Sequence, residues 1–382
     1  MKKIIILSLS LILLLTGCAP NFNKQEEVVQ DKEDTKEKAI IPNYKISDNY
    51  YQTMLPFKPS ESRGLVVNNI NSKYNLSEFE TGLMRVAQNT FDPDKYLFQE
   101  GQFIKSKQVR LWLNRQFTAE QLKEKGLKEE DNIGLNPVDN GKEETPKYLA
   151  HILEHDYYLR NDEGEVKLSG VVIGLALNSV YYYQKVQYGA WYEKKIDHAK
   201  LEKEGKRLAE EVLKRVRKME DLKGVPVTIA LFEQQSRTSV VPGTFFAYAN
   251  AEKGSTSLDG WEKVDEKYLQ FPSTEASENY RDDLNAFLNF KQDVEVYFPN
   301  FNGVIGKAFY KNGQLQELNI NIPIQFYGKA EGVGFTQYVT GLVVKHFPAY
   351  ISVQVEISSV NGPEGLIVRK ADQNEPFVHI YQ

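Results

Sequence analysis

The chain has 382 residues, of which 41% are hydrophobic and 26% charged, and its formal net charge is −5. This hydrophobic content, with 20 Phe and 22 Tyr, is enough for packed cores and excludes a disordered chain. The acidic balance and the absence of a long basic block exclude a nucleic-acid-binding protein, whose surface needs clustered Lys and Arg. The single Cys leaves no disulfide, so stability must come from core size.

The N-terminus has the pattern of a lipoprotein signal peptide. Lys2 and Lys3 precede an apolar run over residues 4–15. That run is too short for a stable transmembrane helix, because crossing a hydrocarbon core of ~30 Å takes roughly 20 residues. The small residue Gly17 then precedes Cys18, the only Cys of the chain. The alternative is an ordinary secretory signal in which this Cys occurs by chance.

Cleavage after Gly17 makes Cys18 the first residue of the mature protein and leaves residues 1–17 as the signal peptide. The Cys18 thiol is the nucleophile suited to taking a diacylglyceryl group, and two acyl chains anchor stably where one is marginal. We therefore expect a protein held by lipid at the extracellular face of the cell membrane. Its expected partners are that membrane and the enzymes that process lipoproteins.

Residues 18–47 are expected to comprise the lipidated Cys and a flexible tether. Residues 19–40 are rich in charge and show no apolar periodicity, which is typical of a solvated segment. At a coil scaling of ~5–6 Å × √n, such a tether would hold the folded part roughly 3 nm from the bilayer.

The first predicted helix begins at Ser77, an N-cap residue with Glu80 three positions later, and runs to Asn89. The sequence Asp92-Pro93-Asp94 follows it and is predicted to be a turn. Residues 129–147 are polar, contain Asn, Gly and Pro, and are predicted to be a surface loop.

Each half of the chain contains a predicted strand-helix-strand unit, which normally means a parallel strand pair with a right-handed crossover. In the first half its three segments are residues 166–183, 199–220 and 225–232. In the second half they are residues 315–327, 336–346 and 350–360. Upstream of each unit, a helix ends in a Phe-rich segment, over residues 78–104 and 280–310.

This recurrence predicts an α+β fold made of two tandem, divergent copies of one unit. Residues 48–250 are the first predicted copy, residues 251–279 a polar linker and residues 280–382 the second copy. The alternative is that two unrelated α+β domains share this element order by chance.

The stretch His151-Ile152-Leu153-Glu154-His155 matches the H-x-x-E-H pattern of inverted zinc proteases. In that pattern two His one helical turn apart bind Zn²⁺ and the Glu activates a water. No paired His or Glu cluster downstream suggests a third ligand. We therefore predict an amphipathic helix over residues 148–158, with both His at the surface, and no metal site or cofactor.

Carboxylate pairs are the other candidates for catalysis. Asp92 with Asp94, or either with Glu100, could serve acid-base hydrolysis, but in a chain with 52 acidic residues such pairs carry little information. The sequence contains no G-x-S-x-G motif and no phosphate-binding P-loop. It therefore predicts no catalytic residue and no enzyme.

Three consecutive tyrosines are the best candidates for binding. Alternate residues of a strand face opposite sides, so Tyr182 must point away from Tyr181 and Tyr183. A displayed ring with Arg110 or Arg63 nearby would suit a peptide or a glycan. The alternative is a sheet face covered by the following helix, with the phenolic tips reaching solvent.

Five stretches of the sequence resemble the CamS-type lipoproteins of Gram-positive bacteria, also described as sex pheromone precursors. They are residues 50–65 (YYQTMLPFKPSESRGL), 78–104 (EFETGLMRVAQNTFDPDKYLFQEGQFI), 174–183 (GLALNSVYYY), 337–340 (QYVT) and 378–381 (VHIY). The resemblance covers essentially the whole mature chain. It implies a surface lipoprotein with two tandem copies of one domain and an acyl anchor such as palmitate.

The resemblance also implies that fragments of the signal peptide act as peptide pheromones in plasmid conjugation. The best-known pheromone core of the family is Ala-Ile-Phe-Ile-Leu-Ala, just before the Cys. Residues 10–17 of this chain read SLILLLTG instead. The departure predicts that this fragment does not induce the response of the Ala-Ile-Phe-Ile-Leu-Ala type.

The leading hypothesis is a non-enzymatic, membrane-anchored lipoprotein whose cleaved signal peptide is a candidate pheromone source. An alternative from another class is an envelope binding module that holds an unidentified peptide or glycan in a groove between the repeats. The last alternative is an envelope hydrolase.

Overall fold

Two β-sheets, each packed against helices, account for most of the described chain. The computed structural model describes residues 26–30, 37–42, 50–139, 145–297, 303–325 and 328–382. The predicted signal peptide, Gly17 and Cys18 lie outside these residues. Of the predicted flexible tether, residues 26–30 and 37–42 are described, and they contain two paired strands. None of the helices in the described ranges has the length and apolarity needed to cross a membrane. The mixture of helices and sheets confirms the α+β class.

The first half of the chain contains most of the strands. In chain order its elements are β1 (Glu26–Gln30), β2 (Glu37–Ile41), β3 (Gln52–Thr53), α1 (Arg63–Asn69), α2 (Lys73–Ala87), β4 (Tyr96–Glu100), α3 (Ser106–Trp112), α4 (Ala119–Lys125), β5 (Leu149–Arg160), β6 (Glu165–Asn178), β7 (Val180–Gln184), β8 (Trp191–Lys195), α5 (His198–Val216), β9 (Val227–Gln234), β10 (Thr244–Ala251) and β11 (Asp259–Lys263).

The second half is smaller and begins with a strand. Its elements are β12 (Glu266–Phe271), α6 (Thr274–Asn279), α7 (Arg281–Tyr297), β13 (Ile305–Lys311), β14 (Gln314–Pro323), α8 (Lys329–His346), β15 (Ser352–Ser359), β16 (Gly362–Arg369) and β17 (Phe377–Ile380).

The first sheet has the strand order β11-β10-β9-β6-β5-β4-β3, and β1 joins it by pairing with both β6 and β2. Strands β6 and β9 are parallel, with Val171 opposite Val227 and Asn178 opposite Gln234. Helix α5 connects them, so the predicted strand-helix-strand unit is confirmed. Helix α5 begins after Asp197, whose side chain acts as an N-cap and accepts a hydrogen bond from Ala199 N at 3.0 Å.

Both faces of the first sheet are covered, which explains the continuous apolar run of β6. Val171, Ile173 and Leu175 pack on one face with residues of α5, and Val172 packs on the other with residues of α2. A strand buried on both faces needs apolar side chains at successive positions rather than at alternate ones. The first half is therefore a three-layer arrangement of helix, sheet and helix.

The second sheet has the strand order β12-β13-β14-β15-β16-β17. Its parallel pair is β14 and β15, joined through α8, so the second predicted strand-helix-strand unit is also confirmed. Buried residues alternate along β15 because helices α7 and α8 cover one face. Phe287 and Phe290 of α7 and Phe335 of α8 fill that core.

The two halves share an order of elements. In the first, a helix precedes the neighbouring strands β5-β6-β9-β10, whose central pair is parallel and joined by a helix. In the second, a helix precedes β13-β14-β15-β16 with the same features. The prediction of two copies of one unit rests on this shared order and stays a prediction.

The segment predicted as a linker, residues 251–279, contains regular structure. Strand β11 pairs with β10 and so completes the first sheet, whereas β12 pairs with β13 and begins the second. The stretch thus contributes a strand to each sheet, and its assignment as the linker between two copies stays a prediction. Its polar composition reflects the exposed positions of edge strands, while Leu269 and Phe271 point into the second core.

Two local predictions differ from the structure. Helix α2 begins at Lys73 and not near Ser77, because the Ser72 side chain accepts a hydrogen bond from Asn75 N at 3.2 Å. The strand predicted over residues 166–183 is interrupted at Ser179. Strand β7 leaves the first sheet there and pairs only with β8 in a two-stranded sheet.

Candidate ligand-binding cavity

A cavity of about 760 Å³ opens beside the carboxyl ends of the parallel strands β6 and β9. Asn178, the last residue of β6, lines it, and it hydrogen-bonds to Gln234, the last residue of β9. The crevice outside the carboxyl ends of parallel strands is where open α/β sheets bind ligands. The volume also lies within the range of small-molecule sites, roughly 300–1,000 Å³.

Hydrogen bonds hold the floor of the cavity in place. Gln234 is fully buried and donates through Nε2 to Asn178 Oδ1 at 2.6 Å. Asn178 in turn donates through Nδ2 to the carbonyl of Lys147 at 2.9 Å. The ends of β6 and β9 and the segment that enters β5 are thereby locked to one another, so this part of the cavity is preformed.

One wall comes from the end of helix α1. The helix stops because Ile70 adopts an extended conformation, with φ −96° and ψ 132°. Asn71 N then donates to Gln234 Oε1 at 2.9 Å, and Asn71 Nδ2 donates to the carbonyl of Gln235 at 3.1 Å. These bonds place Asn68, Asn69 and Asn71 along the cavity.

The lining is rich in amides and cations. Five Asn, three cationic side chains and two Tyr make up ten of the sixteen described residues that line it. The amides belong to Asn68, Asn69, Asn71, Asn114 and Asn178, and the cations to Arg110, Lys147 and Arg237. None of the described residues that line the cavity is a carboxylate. Burial lowers the pKa of Lys147, and the nearby Arg115 lowers it further, while Asp139 acts in the opposite direction.

The three consecutive tyrosines behave as alternation along a strand predicts. The rings of Tyr181 and Tyr183 stack with centroids 5.5 Å apart, while Tyr182 makes separate contacts. The Tyr182 ring lies 4.2 Å from the Arg237 guanidinium, and its hydroxyl accepts a hydrogen bond from Arg237 N at 3.1 Å. Tyr181 accepts a hydrogen bond from Arg115 Nη2 at 3.0 Å.

The structure brings together two of the three residues predicted for binding. Arg110, on α3, and Tyr182, on β7, line the same cavity. Arg63 does not, because it lies in a separate cavity of about 170 Å³ with Phe57, Glu100 and others. Sequence reasoning missed the five asparagines, since Asn is common in loops and only folding assembles these five.

The H-x-x-E-H stretch is a strand and not a helix. His151 and His155 lie in β5 and are 0% and 2% exposed, so the prediction of a surface helix is wrong. Strand β5 lies between β4 and β6 with both faces covered, which buries its polar side chains as well. Two residues four apart on a strand are about 13 Å apart, too far to bind one Zn²⁺ as the helical motif does.

Burial keeps both histidines neutral. It lowers the pKa of His151 to about 4 and that of His155 to about 3. A hydrogen bond of 3.3 Å joins Asn69 Nδ2 to His151 Nδ1, so His151 supports the cavity wall from behind. Within the described ranges, no group of three or more His, Cys, Asp or Glu side chains could hold a metal ion.

A buried carboxyl pair on β5 was not predicted. Glu154 Oε2 accepts hydrogen bonds from Phe103 N at 3.2 Å and Ile104 N at 2.8 Å, and Asp156 Oδ2 accepts one from Gln102 N at 2.9 Å. The second oxygens, Glu154 Oε1 and Asp156 Oδ1, are buried and have no hydrogen-bond partner among the described residues. Burial raises the pKa of Glu154 to about 7 and that of Asp156 well above its usual range. Strand alternation was the missed signal, because residues two apart share one face.

The other carboxylates considered for catalysis lie apart from the cavity. Asp94 N donates to Asp92 Oδ1 at 3.0 Å, so these residues form the predicted turn after α2. Glu100 accepts a hydrogen bond from Ser60 N at 2.8 Å and lies 3.6 Å from Arg63 Nε. These contacts hold loops together.

A second large cavity, of about 600 Å³, lies between the two halves. Its lining carries both signs of charge, including Glu78, Arg85 and Lys307. Arg85 and Tyr268 already donate hydrogen bonds to Glu78, so much of its polar surface is satisfied within the protein. The alternative predicted from the sequence places a ligand in a groove between two repeats and stays a prediction, and the predicted residues Arg110 and Tyr182 line the other cavity.

Comparison with known proteins identifies related chains. The family model described as CamS sex pheromone cAM373 precursor matches residues 57–375. A solved structure of a sex pheromone precursor from Lactobacillus salivarius subsp. salivarius UCC118 is 32% identical, with 89% of this chain and 98% of that chain covered and a TM-score of 0.80. A solved structure of the C-terminal domain of the sex pheromone staph-cAM373 precursor from Staphylococcus aureus is 35% identical. The match covers 82% of this chain and 98% of that chain, with a TM-score of 0.71. None of the curated proteins compared with the chain matches it.

Proposed function

Because this chain belongs to the CamS family of sex pheromone precursors, we propose that it is a lipid-anchored protein of the extracellular membrane face whose folded part binds a peptide or a glycan. The observation that carries the binding function is the cavity at the carboxyl ends of β6 and β9, where Arg110 and Tyr182 meet five amide side chains. The anchor and the pheromone are supported by the N-terminal sequence.

The anchor is Cys18. The apolar run over residues 4–15 and the small residue before the only Cys are the pattern on which this proposal rests. Cys18→Ala should abolish labelling of the protein by a radiolabelled fatty acid, and the protein should accumulate as a precursor or be shed. Labelling that persists in the variant would refute the anchor.

The released signal peptide is the proposed source of a pheromone. A fragment covering residues 10–17 is strongly apolar and suits an apolar receptor groove, where each buried Leu or Ile contributes about 1.5–3 kcal/mol. Its side-chain shapes differ from those of Ala-Ile-Phe-Ile-Leu-Ala at several positions. The synthetic peptide should therefore fail to induce the plasmid response of that type, and induction of cell aggregation or plasmid transfer at nanomolar peptide would show otherwise.

Binding at the cavity is tested by paired variants. A panel of peptides and oligosaccharides should contain a ligand whose binding is lost in Arg110→Ala and in Tyr182→Ala. Arg63→Ala is the matched control, because Arg63 is also an exposed arginine but lies in the other cavity. If all three variants lose binding of the ligand equally, or if none of them loses it, the result would contradict binding at this site.

We propose binding without catalysis. The titratable side chains that line the cavity are three cations and two tyrosines, and the carboxyl pair of Glu154 and Asp156 is buried in the sheet. The described lining therefore offers no carboxylate to act as a general base beside a nucleophile. Mass spectrometry of a bound ligand after long incubation should show it unchanged. A cleaved product that disappears with Arg110→Ala would favour the hydrolase alternative.

A further inference from the structure

The charge of the cavity lining departs from that of the whole chain. The chain carries 52 acidic and 47 basic residues, yet the described residues of the lining include Arg110, Lys147 and Arg237 and no carboxylate. Concentrated charge of one sign in a concave surface raises the local concentration of oppositely charged ligands. The cavity therefore attracts anions.

Two of these cations make no direct polar contact through their side chains with the described residues, although the charge of Asp139 acts favourably on Lys147. Neither Arg110 nor Lys147 forms an ion pair or a side-chain hydrogen bond in the described ranges. Lys147 is half-buried, and its loss of hydration lowers its pKa. A bound anion would offset the free-energy cost of this lost hydration, because a charge-assisted hydrogen bond is stronger than one between neutral groups.

The third cation is held in a fixed orientation. The Arg237 guanidinium lies 4.2 Å from the ring centroid of Tyr182 and 4.9 Å from that of Trp191. Stacking against two rings limits the rotamers of the side chain, so less entropy is lost when it binds. The planar guanidinium matches a carboxylate or a phosphate through two parallel hydrogen bonds, which an ammonium group cannot do.

The asparagine side chains indicate what kind of molecule bears the acidic group that the cations bind. Each Asn side chain both donates and accepts, which matches hydroxyl groups that do the same. The Asn68 and Asn114 side chains have no hydrogen bond among the described residues, so their capacity remains for a ligand. Among the sixteen described residues of the lining, six are apolar, whereas an apolar peptide side chain requires a largely apolar pocket.

We propose that the cavity binds an acidic glycan, a carbohydrate chain that carries carboxylate or phosphate groups. This inference rests on the proposed binding function and adds the ligand class. The cations bind the acidic groups and the asparagines bind the hydroxyls. A peptide rich in Glu shares the charge but lacks the hydroxyls, so it should bind more weakly.

Four probes of known composition test the proposal by titration calorimetry on the processed, full-length protein in detergent. Mannopentaose phosphate carries a phosphate and tetragalacturonate carries carboxylates. Unmodified mannopentaose is the neutral control and hexaglutamate the peptide control. At least one acidic glycan should bind ten times more tightly than either control, and added salt should weaken its binding. The stronger acidic probe identifies the preferred anion.

Variants connect the binding to the cavity. Arg110→Gln and Lys147→Gln should each weaken binding of the acidic glycan about tenfold, because each removes one cation and keeps a polar side chain. Arg237→Lys should also weaken it, since charge remains but the paired hydrogen bonds are lost. Arg63→Gln, in the other cavity, should leave binding unchanged.

The outcomes separate this inference from the proposed function. If mannopentaose binds as tightly as mannopentaose phosphate, and if Tyr182→Ala abolishes that binding, the cavity binds glycans and the acidic class is wrong. If hexaglutamate binds as tightly as the best acidic glycan, charge alone decides and the glycan class is wrong. If no probe binds at millimolar concentration, the inference is refuted, while the panel of peptides and neutral sugars still tests the function.

Discussion

Arg85 on α2 donates hydrogen bonds to both carboxylate oxygens of Glu266 on β12, at 2.9 and 2.7 Å, across the boundary between the two sheets. The same guanidinium pairs with Glu78, whose other oxygen accepts a hydrogen bond from Tyr268 at 2.7 Å. It also lies 4.7 Å from the ring centroid of Phe309. The boundary is thus a buried charged network, formed in part by residues of the segment predicted to be a linker.

Removing Arg85 should be strongly destabilising. The Glu78 and Glu266 side chains are only 6% and 3% exposed, so Arg85→Met leaves two buried carboxylates without the cation that pairs with them. Breaking a buried pair in this way costs about 3–5 kcal/mol of unfolding free energy, measurable by urea unfolding. Lys267→Met is the control, because its pair with Glu275 is exposed and should contribute less than about 1 kcal/mol. Equal losses in the two variants would contradict this role for Arg85.

The buried His155 should make the protein sensitive to acid. Its folded pKa of about 3 lies below the ordinary value of 6.5, so the unfolded chain takes up a proton first as pH falls. Its contribution to stability is complete above pH 6.5 and is lost as pH falls toward 3. In His155→Leu this loss disappears. The unfolding free energy of the variant relative to wild type should therefore rise by about 2 kcal/mol between pH 7 and pH 5.

The exposed His379 provides the control for that measurement. His379→Leu should keep the pH dependence of the wild type, because an exposed side chain remains hydrated in both states. A difference between His155→Leu and wild type that stays constant from pH 7 to pH 5 would mean that His155 has the same pKa in the folded and the unfolded protein, against this prediction.

Glu154 should have the opposite effect of pH. Its folded pKa of about 7 lies above the ordinary value of 4.5, so the folded protein holds a proton that the unfolded chain releases. The contribution is complete below pH 4.5 and is lost as pH rises to about 7. Glu154→Gln removes this loss, because an amide can donate to Asp156 without titrating. The stability of the variant relative to wild type should increase between pH 5 and pH 7, by an amount on the order of 2 kcal/mol.

The exposed Glu163→Gln variant should show no such increase. Because His155 and Glu154 respond to pH in opposite directions, the stabilities of the two variants relative to wild type should change in opposite directions between pH 5 and pH 7. A fall in the relative stability of Glu154→Gln with rising pH would reverse the sign of this prediction.

Gly170 should not tolerate a side chain. A Cβ at this position of β6 would lie 2.1 Å from Phe91 Cε1. The Phe91 ring cannot easily move away, because it stacks on Tyr157 with centroids 5.0 Å apart. Gly170→Ala should therefore cost about 1–3 kcal/mol of unfolding free energy. Gly224→Ala is the control, since no atom lies within 4 Å of its Cβ. Thermal or urea unfolding should separate the two variants, and equal stability would show that the Phe91 ring adapts.

The elements predicted well are those whose signal is local. The periodicity of residues 199–220 predicted α5, and the apolar runs on either side predicted the parallel strands β6 and β9. The stretch around His151 was misjudged because a short segment with mixed apolar and polar residues fits a helix face as well as a strand. Only its place between β4 and β6 makes it a strand buried on both faces.

The sequence by itself determined the α+β class, the two strand-helix-strand units and the family, because periodicity and long characteristic strings are properties of the chain read in order. The tertiary structure alone decided that Arg110 and Tyr182 meet in one cavity while Arg63 lies in another. It also decided that His151, Glu154 and His155 are buried and that Arg85 reaches Glu266. These relationships join residues far apart in the chain, and such distances are set by how strands pair and helices pack, which no local pattern specifies.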